Sequence, residues 1–309
     1  MKKLTECFKI QLLSFQNGDD IFELRKGTSI YRINCLKPKY RAYPIMIEAD
    51  PFVFVKDEIL YLFYESKQWR KPAVIKMICT KDLLEWTKPV VVLKEPFHLS
   101  FPWVFEDKGS VYMIPETAQD KSIRLYKACD KSLSKFEFVD KVLIDNHRNS
   151  YISFCDTCIV KKENIYYLFT TRQFNSCSNR LDLYMSQSLT GPYTLHPKSP
   201  IVDNLKMGRN AGSILEKDGR LLRFSQDCVK RYGDNVHISQ IVELNPERFE
   251  EKIVRESIIP TDSPFYSEGG HQFNVVKFKN QWIVATDAKE YHGMFIPSIL
   301  NKLNRLLGL

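Results

Sequence analysis

Asp50-Pro51-Phe52-Val53-Phe54-Val55 leads into Lys56-Asp57-Glu58 and then Ile59-Leu60-Tyr61-Leu62-Phe63-Tyr64-Glu65. Aromatic and β-branched residues on both sides of a short polar break read as a strand, a tight turn and a second strand. The phrase returns. Pro102-Trp103-Val104-Phe105 runs through Gly109 into Val111-Tyr112-Met113-Ile114-Pro115-Glu116, and Asp156-Thr157-Cys158-Ile159-Val160 into Ile165-Tyr166-Tyr167-Leu168-Phe169-Thr170-Thr171. Ala211-Gly212-Ser213-Ile214-Leu215 passes Asp218-Gly219 into Leu221-Leu222-Arg223-Phe224-Ser225-Gln226. A looser copy joins Gln272-Phe273-Asn274-Val275-Val276 to Trp282-Ile283-Val284-Ala285-Thr286-Asp287. The opening column falls at residues 50, 101, 156, 211 and 272, spaced 51, 55, 55 and 61. A period near fifty residues with several strands per unit predicts an all-β, five-bladed β-propeller over 49–290.

Third strands follow each of the first three hairpins, at Val74–Cys79, Ile123–Tyr126 and Leu181–Ser186. Beyond them lie the turn phrases Lys81-Asp82-Leu83-Leu84-Glu85-Trp86, Phe136-Glu137-Phe138 and Leu189-Thr190-Gly191-Pro192-Tyr193, read as closing each blade with an outer-edge strand that carries polar residues. Residues 1–48, with a strand expected near Ser29–Ile33, are read as completing the last blade. The tail, 291–309, places Ile299, Leu300, Leu303, Leu306 and Leu307 on one helical face and Asn301, Lys302, Asn304 and Arg305 on the other. That basic amphipathic helix suits either an anionic lipid surface, touched through 294–309, or packing against protein.

The 309 residues carry a net charge of +8, spread along the chain without a Lys/Arg tract, and no nucleic-acid recognition motif accompanies it. A mean hydropathy of -0.30 and the lack of any apolar run near 20 residues exclude a helical membrane protein. Cys7, Cys35, Cys79, Cys129, Cys155, Cys158, Cys177 and Cys228 read as buried free thiols of a reducing cytoplasm. Cys155 and Cys158 form a C-x-x-C, but no second pair exists to complete a zinc ribbon, so no metal is expected. The expected location is the cytoplasm, at the inner face of the membrane if the tail meets lipid.

Innermost propeller strands converge on one axis, so columns across the repeat are candidate rings. The opening column reads Asp50, Phe101, Asp156, Ala211, Gln272, and the closing column Glu65, Glu116, Thr171, Gln226, Asp287. Strand ends are often merely exposed and polar, yet acids recurring in this pattern suit sugar chemistry. Glycosyl transfer uses a carboxylate to stabilise the anomeric cation or deprotonate an acceptor, and a hydrolase adds a protonated carboxyl for the leaving group. Asp50, Asp156 and Glu116 are the catalytic candidates. Arg209 and Arg223 are cations for a departing phosphate, Arg223 being either so used or paired with Asp227 or Glu116. Gln226, Asp227, His271 and Asn274 are candidate substrate ligands, and Trp103 a sugar-stacking surface that core packing would explain equally.

The chain resembles a known group on specific phrases. Ala49-Asp50-Pro51, Asp82-Leu83-Leu84-Glu85-Trp86 and Ser188-Leu189-Thr190-Gly191-Pro192-Tyr193 resemble the five-bladed carbohydrate enzymes of glycoside hydrolase family 43 and their invertase relatives. Ser100-Phe101-Pro102, Ile114-Pro115-Glu116-Thr117, Gly208-Arg209-Asn210-Ala211-Gly212 and Arg223-Phe224-Ser225-Gln226-Asp227 resemble the N-terminal domain of glucosamine inositolphosphorylceramide transferase and its bacterial relatives. So do Tyr232-Gly233 and Gly269-Gly270-His271-Gln272-Phe273-Asn274, and the likeness runs over roughly 48–290. It implies that Asp50 is the general base, that Asp156 orients it or tunes its proton affinity, and that His271 helps hold a central ion or water cluster. The hydrolases' acid is a Glu opening a later blade, where this chain has Ala211-Gly212. The expected function is therefore glycosyl transfer to a surface polysaccharide or glycolipid, with a phosphate leaving group. A glycosidase and a non-catalytic glycan-binding propeller are the alternatives. A nucleotide-sugar donor fits, although the chain has neither an Asp-x-Asp pair nor a Gly-rich phosphate loop.

Overall fold

The computed structural model of the protein describes residues 3–35, 45–68, 70–146, 152–174 and 178–294. Of the expected tail helix, residues 291–294 instead end a strand, and the remainder lies outside the described residues, as does Cys177. The described chain is almost entirely strand and turn.

Strands β1 (Lys3–Gln16) and β2 (Thr28–Ile33) precede β3 (Ile45–Lys56), β4 (Ile59–Gln68), β5 (Val74–Thr80) and β6 (Val90–Leu93). A second group is β7 (Ser100–Asp107), β8 (Ser110–Glu116), β9 (Ser122–Ala128) and β10 (Phe136–Ile144). A third is β11 (Ile152–Lys162), β12 (Ile165–Gln173), β13 (Arg180–Ser186), β14 (Thr194–Leu195) and β15 (Val202–Asp203). The last are β16 (Leu215–Lys217), β17 (Arg220–Asp227), β18 (Asn235–Leu244), β19 (Phe249–Arg255), β20 (Phe273–Phe278) and β21 (Gln281–Met294).

Hydrogen bonding assembles these into four sheets. Three are the antiparallel runs β7–β10, β11–β15 and β16–β19. The fourth has eight strands and consists of two antiparallel runs, β20-β21-β1-β2 and β3-β4-β5-β6, joined by one parallel pair, Phe8 with Ile47. The join exists because β1 pairs with β21 over its whole length, from Lys3–Met294 to Gln16–Gln281, and so carries the N-terminus into the C-terminal run. Neighbouring runs meet in chain order and return to the start. β3 adjoins β7, β8 adjoins β11, Asn210 donates to the Asp156 carbonyl, Phe273 N–H donates to the Ala211 carbonyl, and β20 adjoins β3. The result is a closed ring of sheets.

Apolar side chains alternate into the spaces between sheets. One cluster joins Phe101, Phe154, Leu168, Phe169 and Leu183, and another Phe63, Met77, Met113 and Tyr126. Trp103 belongs to the first: it is buried and stacked on Phe105 with ring centroids 4.1 Å apart, so it packs between sheets.

Two expectations are corrected. Lys81–Trp86 and Leu189–Tyr193 are turns, and the outer edges are β6 and the two-residue β14. Asp82 shapes the first turn by accepting the Leu84 and Glu85 amides, each at 2.9 Å. The fourth copy's first strand is also broken, with Asn210 bridging Ser225 alone before β16 begins at Leu215. The cause is Gly212, whose φ is 149° and where a Cβ would overlap the Phe273 carbonyl oxygen. Backbone approaches backbone there, leaving no room for a continuous ladder. Of the cysteines, Cys129 is exposed, whereas Cys7, Cys35, Cys155 and Cys158 are buried.

Candidate active site

Asp50, Phe101 and Asp156 share one backbone state, with φ of 50°, 46° and 51°. At each, the register to the next strand slips, between Ala49 and Phe52, Ser100 and Trp103, and Cys155 and Cys158. Pro51 and Pro102 supply no N–H, so the ladder must break at the first two positions. In the third, Thr157 occupies the proline's place and turns its hydroxyl to Thr170 Oγ1 at 2.8 Å. Such bulges bend a strand and re-aim a side chain. Asp tolerates the left-handed region better than most residues, whereas Phe101 holds it at a cost of about 1–3 kcal/mol.

The amides left without ladder partners are caught by carboxylates of the preceding run. Asp287 Oδ2 accepts from Asp50 N at 3.2 Å, and Asp50 Oδ2 accepts from Phe101 N at 2.9 Å. His271 lies between the two acids, with Nε2 3.2 Å from Asp50 Oδ1 and Nδ1 2.7 Å from Asp287 Oδ2. The Asp287 carboxylate also accepts the His271 and Gln272 amides at 2.9 and 3.1 Å. Burial works against charge on both, but their mutual attraction prevails, holding the Asp287 carboxyl below its ordinary range and raising the His271 imidazole above its own. Asp50 differs. Burial drives its carboxyl up to about 6, His271 opposes that, and Asp156 and Asp287 add to it.

Asp156 is approached by the fourth run. Arg209 Nε donates to Asp156 Oδ2 at 2.5 Å and Gln226 Nε2 donates to the same oxygen at 3.0 Å. Arg209 Nη2 lies 3.8 Å from Glu116 Oε2, and the guanidinium sits over the Tyr232 ring at 5.0 Å. Glu116 is pushed up to about 8 by burial and by Asp156 beside it, with Arg209 pulling the other way. At neutral pH, Glu116 therefore keeps its proton while Asp50 is largely charged. Glu65 is raised as well, by burial and then by Asp50, and its carboxylate stands 3.4 Å from His98 Nε2. The network opens to solvent at Tyr232, which is 39 % exposed and meets the His271 ring edge-on at 5.1 Å.

The structure thus gathers Asp50, Glu116, Asp156, Arg209, Gln226 and His271 into one network. It takes Arg223 elsewhere. Fully buried, Arg223 grips both oxygens of Glu251 at 2.8 and 2.6 Å and donates to the Met207 carbonyl, so neither Asp227 nor Glu116 is its partner. Asp227 faces His237 at 3.1 Å. Asn274 accepts from Val53 N at 2.9 Å and donates to Ser213 Oγ at 2.7 Å, tying three runs together at the centre. Sequence reasoning set Glu65 and Asp287 in the closing column but did not select them. The signal was that column, since both follow apolar strands and end buried.

Among the described residues, two groups bring three metal-type ligand atoms within 4.8 Å of one another: Asp50, His271 and Asp287, and Glu116, Cys155 and Asp156. His271 already pairs with both acids of the first, and the Arg209 guanidinium already pairs with Asp156 in the second. A cation would have to displace one of these partners or sit beside the guanidinium, so neither group fits a metal.

The family described as "Glucosamine inositolphosphorylceramide transferase 1, N-terminal" matches residues 30–288. Glucosamine inositolphosphorylceramide transferase 1 of Arabidopsis thaliana is 31% identical over 273 residues, 85% of this chain and 34% of that protein. Its counterpart in Oryza sativa subsp. japonica is 31% identical over 229 residues, 71% of this chain and 29% of that protein. The chain therefore spans about a third of the length of the curated relatives it matches. Among solved structures, a family 117 glycoside hydrolase from Zobellia galactanivorans superposes with a TM-score of 0.55 at 11% identity, covering 83% of this chain and 92% of that one. A thermostable family-43 glycoside hydrolase gives 0.54 at 12% identity, covering 84% and 93%. At these identities the likeness concerns the fold alone, a propeller shared with carbohydrate-active enzymes.

Proposed function

Because the chain belongs to the family described as glucosamine inositolphosphorylceramide transferase 1, N-terminal, we propose that it is a carbohydrate-active propeller whose central network carries out glycosyl transfer. We count five blades by treating β20-β21-β1-β2 and β3–β6 as separate units of the ring. Asp50 is the base toward an acceptor hydroxyl, Glu116 is the proton-bearing carboxyl, and Asp156, held by Arg209 and Gln226, fixes the charge between them. His271 sets the charge and orientation of Asp50. A carbohydrate or glycolipid substrate follows from the relatives' name, and assembly of a surface glycan is the process proposed for it.

One observation carries it. Carboxyls from three separate runs, far apart in sequence, meet in one buried network in which Asp50 is held near 6 and Glu116 near 8. Opposite protonation of neighbouring acids is what acid–base chemistry at an anomeric carbon needs. The phosphate-binding part of the expectation finds less support, since Arg209, Arg223 and His271 are each engaged by carboxylates.

A glycosidase is the second reading, and Glu116 favours it: the acid missing at Ala211 has a replacement in a carboxyl that retains its proton. The test is Asp50→Asn against the parent, on sugar donors with and without an acceptor. Asn tolerates the same left-handed backbone, so the fold is expected to persist while turnover falls about 10²–10⁴-fold. Undiminished turnover removes Asp50 from the chemistry. Release of free sugar without acceptor identifies the glycosidase.

A further inference from the structure

The central network engages its cations with its own acids, yet a nearby groove gathers lysines of which one, Lys94, is exposed. A cavity of about 540 Å³ lies along the first run, between the end of β4 and strands β5 and β6. Its walls include Lys71, Lys76 and Lys94, with Pro72, Val91 and Pro96 between them. The register explains the gathering. Lys76 pairs with Val91 and Ile75 with Leu93, so Lys94 follows Leu93 toward Val74 and lies diagonally from Lys76 on the same face. Lys94 is exposed and has no ion-pair partner among the described residues. The wall's one acid, Glu95, is already engaged by the Tyr126 hydroxyl at 2.8 Å and by Arg124 at 3.4 Å.

Lys76 has a partner that neutralises it poorly. Its Nζ is 3.7 Å from Glu48 Oε1, and burial pushes Glu48 up to about 7, so that carboxyl carries only part of a charge at neutral pH. Glu48 stands two residues before Asp50 on β3, and Ser66, which lines the groove, follows Glu65 of the central network. Groove and central network therefore lie at the same end of the first run.

We infer that this groove binds a phosphate ester, with Lys76 and Lys94 meeting the phosphate and Pro72, Val91 and Pro96 lying against the organic body it is attached to. Lys76 and Lys94 set beside Pro72, Val91 and Pro96 on a mixed wall suit a compact anion on a carbon skeleton, and small-molecule sites commonly pair apolar lining with a few placed charges. That the bound ester is the substrate of the central network rests on the glycosyl-transfer reading; that the groove takes a phosphate ester does not.

The experiment is a calorimetric titration with glucose 1-phosphate, with inorganic phosphate, and with phosphatidylcholine vesicles with and without phosphatidylinositol. Sodium chloride at matched ionic strength is the control. Saturable binding of the phosphates is expected, weakened about tenfold by Lys94→Glu and by Lys76→Gln, and left intact by Asp50→Asn. Lys94 is exposed, so its variant folds, and thermal melting checks the Lys76 variant. Binding to phosphatidylinositol vesicles beyond the plain ones names a lipid headgroup as the source, and binding of the soluble esters alone names a free phosphate ester. The inference is overturned if chloride competes equally, if no phosphate binds, if both lysine variants bind as the parent does, or if Asp50→Asn abolishes binding. An inactive groove variant with an unchanged phosphate affinity would likewise count against the groove, whereas a fully active Asp50→Asn that still binds phosphate sinks only the catalytic assignment.

Discussion

Asp50 illustrates how one residue serves architecture and chemistry together. Its carboxylate replaces a ladder partner for the Phe101 amide, and its own amide is held by Asp287. Such bonds alone would explain the acid as a structural tie. What they do not require is a carboxyl raised to about 6 beside another raised to about 8. If the pair acts as base and acid, activity should rise as pH passes about 6, where Asp50 gives up its proton, and fall as it passes about 8, where Glu116 does. Glu116→Gln should lose the alkaline limb and leave the acid limb in place. A pH–rate profile with two unchanged limbs in that variant would assign the upper one to another group. Arg223 teaches the reverse lesson. A charge within an apolar strand signals a nearby anion, and Arg223 has one. That anion, Glu251, comes from β19, whose polar outer-edge sequence gives no hint of the pairing.

At the level of the strand, the site is made by interruptions. Pro51 and Pro102 break pairing at the first two bulges, and Gly212 breaks the fourth run so that Asn210 can reach the Asp156 carbonyl at 2.8 Å. Gly212→Ala would place a methyl group against the Phe273 carbonyl at a backbone angle L-residues rarely adopt. We expect a loss of about 3 kcal/mol or more, seen as a lowered urea midpoint with unchanged slope. A variant as stable as the parent would mean that the fourth and fifth runs can separate there at little cost. The hairpins themselves were legible, because alternating apolar residues bounded by Lys-Asp-Glu or Asp-Gly turns leave few alternatives. Bulges were not. A proline marks where a ladder stops, but the left-handed turn at the preceding residue depends on what catches the freed amide.

For the molecule as a whole, the buried acids set a pH dependence of stability. Glu116, near 8, and Glu48, near 7, bind protons more tightly folded than unfolded, and His271 is raised in the same sense. Stability from these groups is complete at low pH and is lost as pH rises through their folded values. His98 is depressed to about 4 by burial and then by Lys67, so it opposes them below its unfolded value near 6.5. The melting temperature should therefore rise as pH falls from about 8.5 to about 6.5, and Glu116→Gln should flatten that slope. A melting temperature that falls over the same range would show that the acids are charged in the folded protein. The ring itself was written in the chain. Five spaced copies of one hairpin cannot each bury their faces alone, so stacking follows from the repeat, and the acids at its column ends follow with it. Tertiary structure alone decided which of those acids hold protons and which cations remain available. Protonation depends on burial and on neighbours supplied by other runs, and a neighbour across the axis leaves no trace in the local sequence.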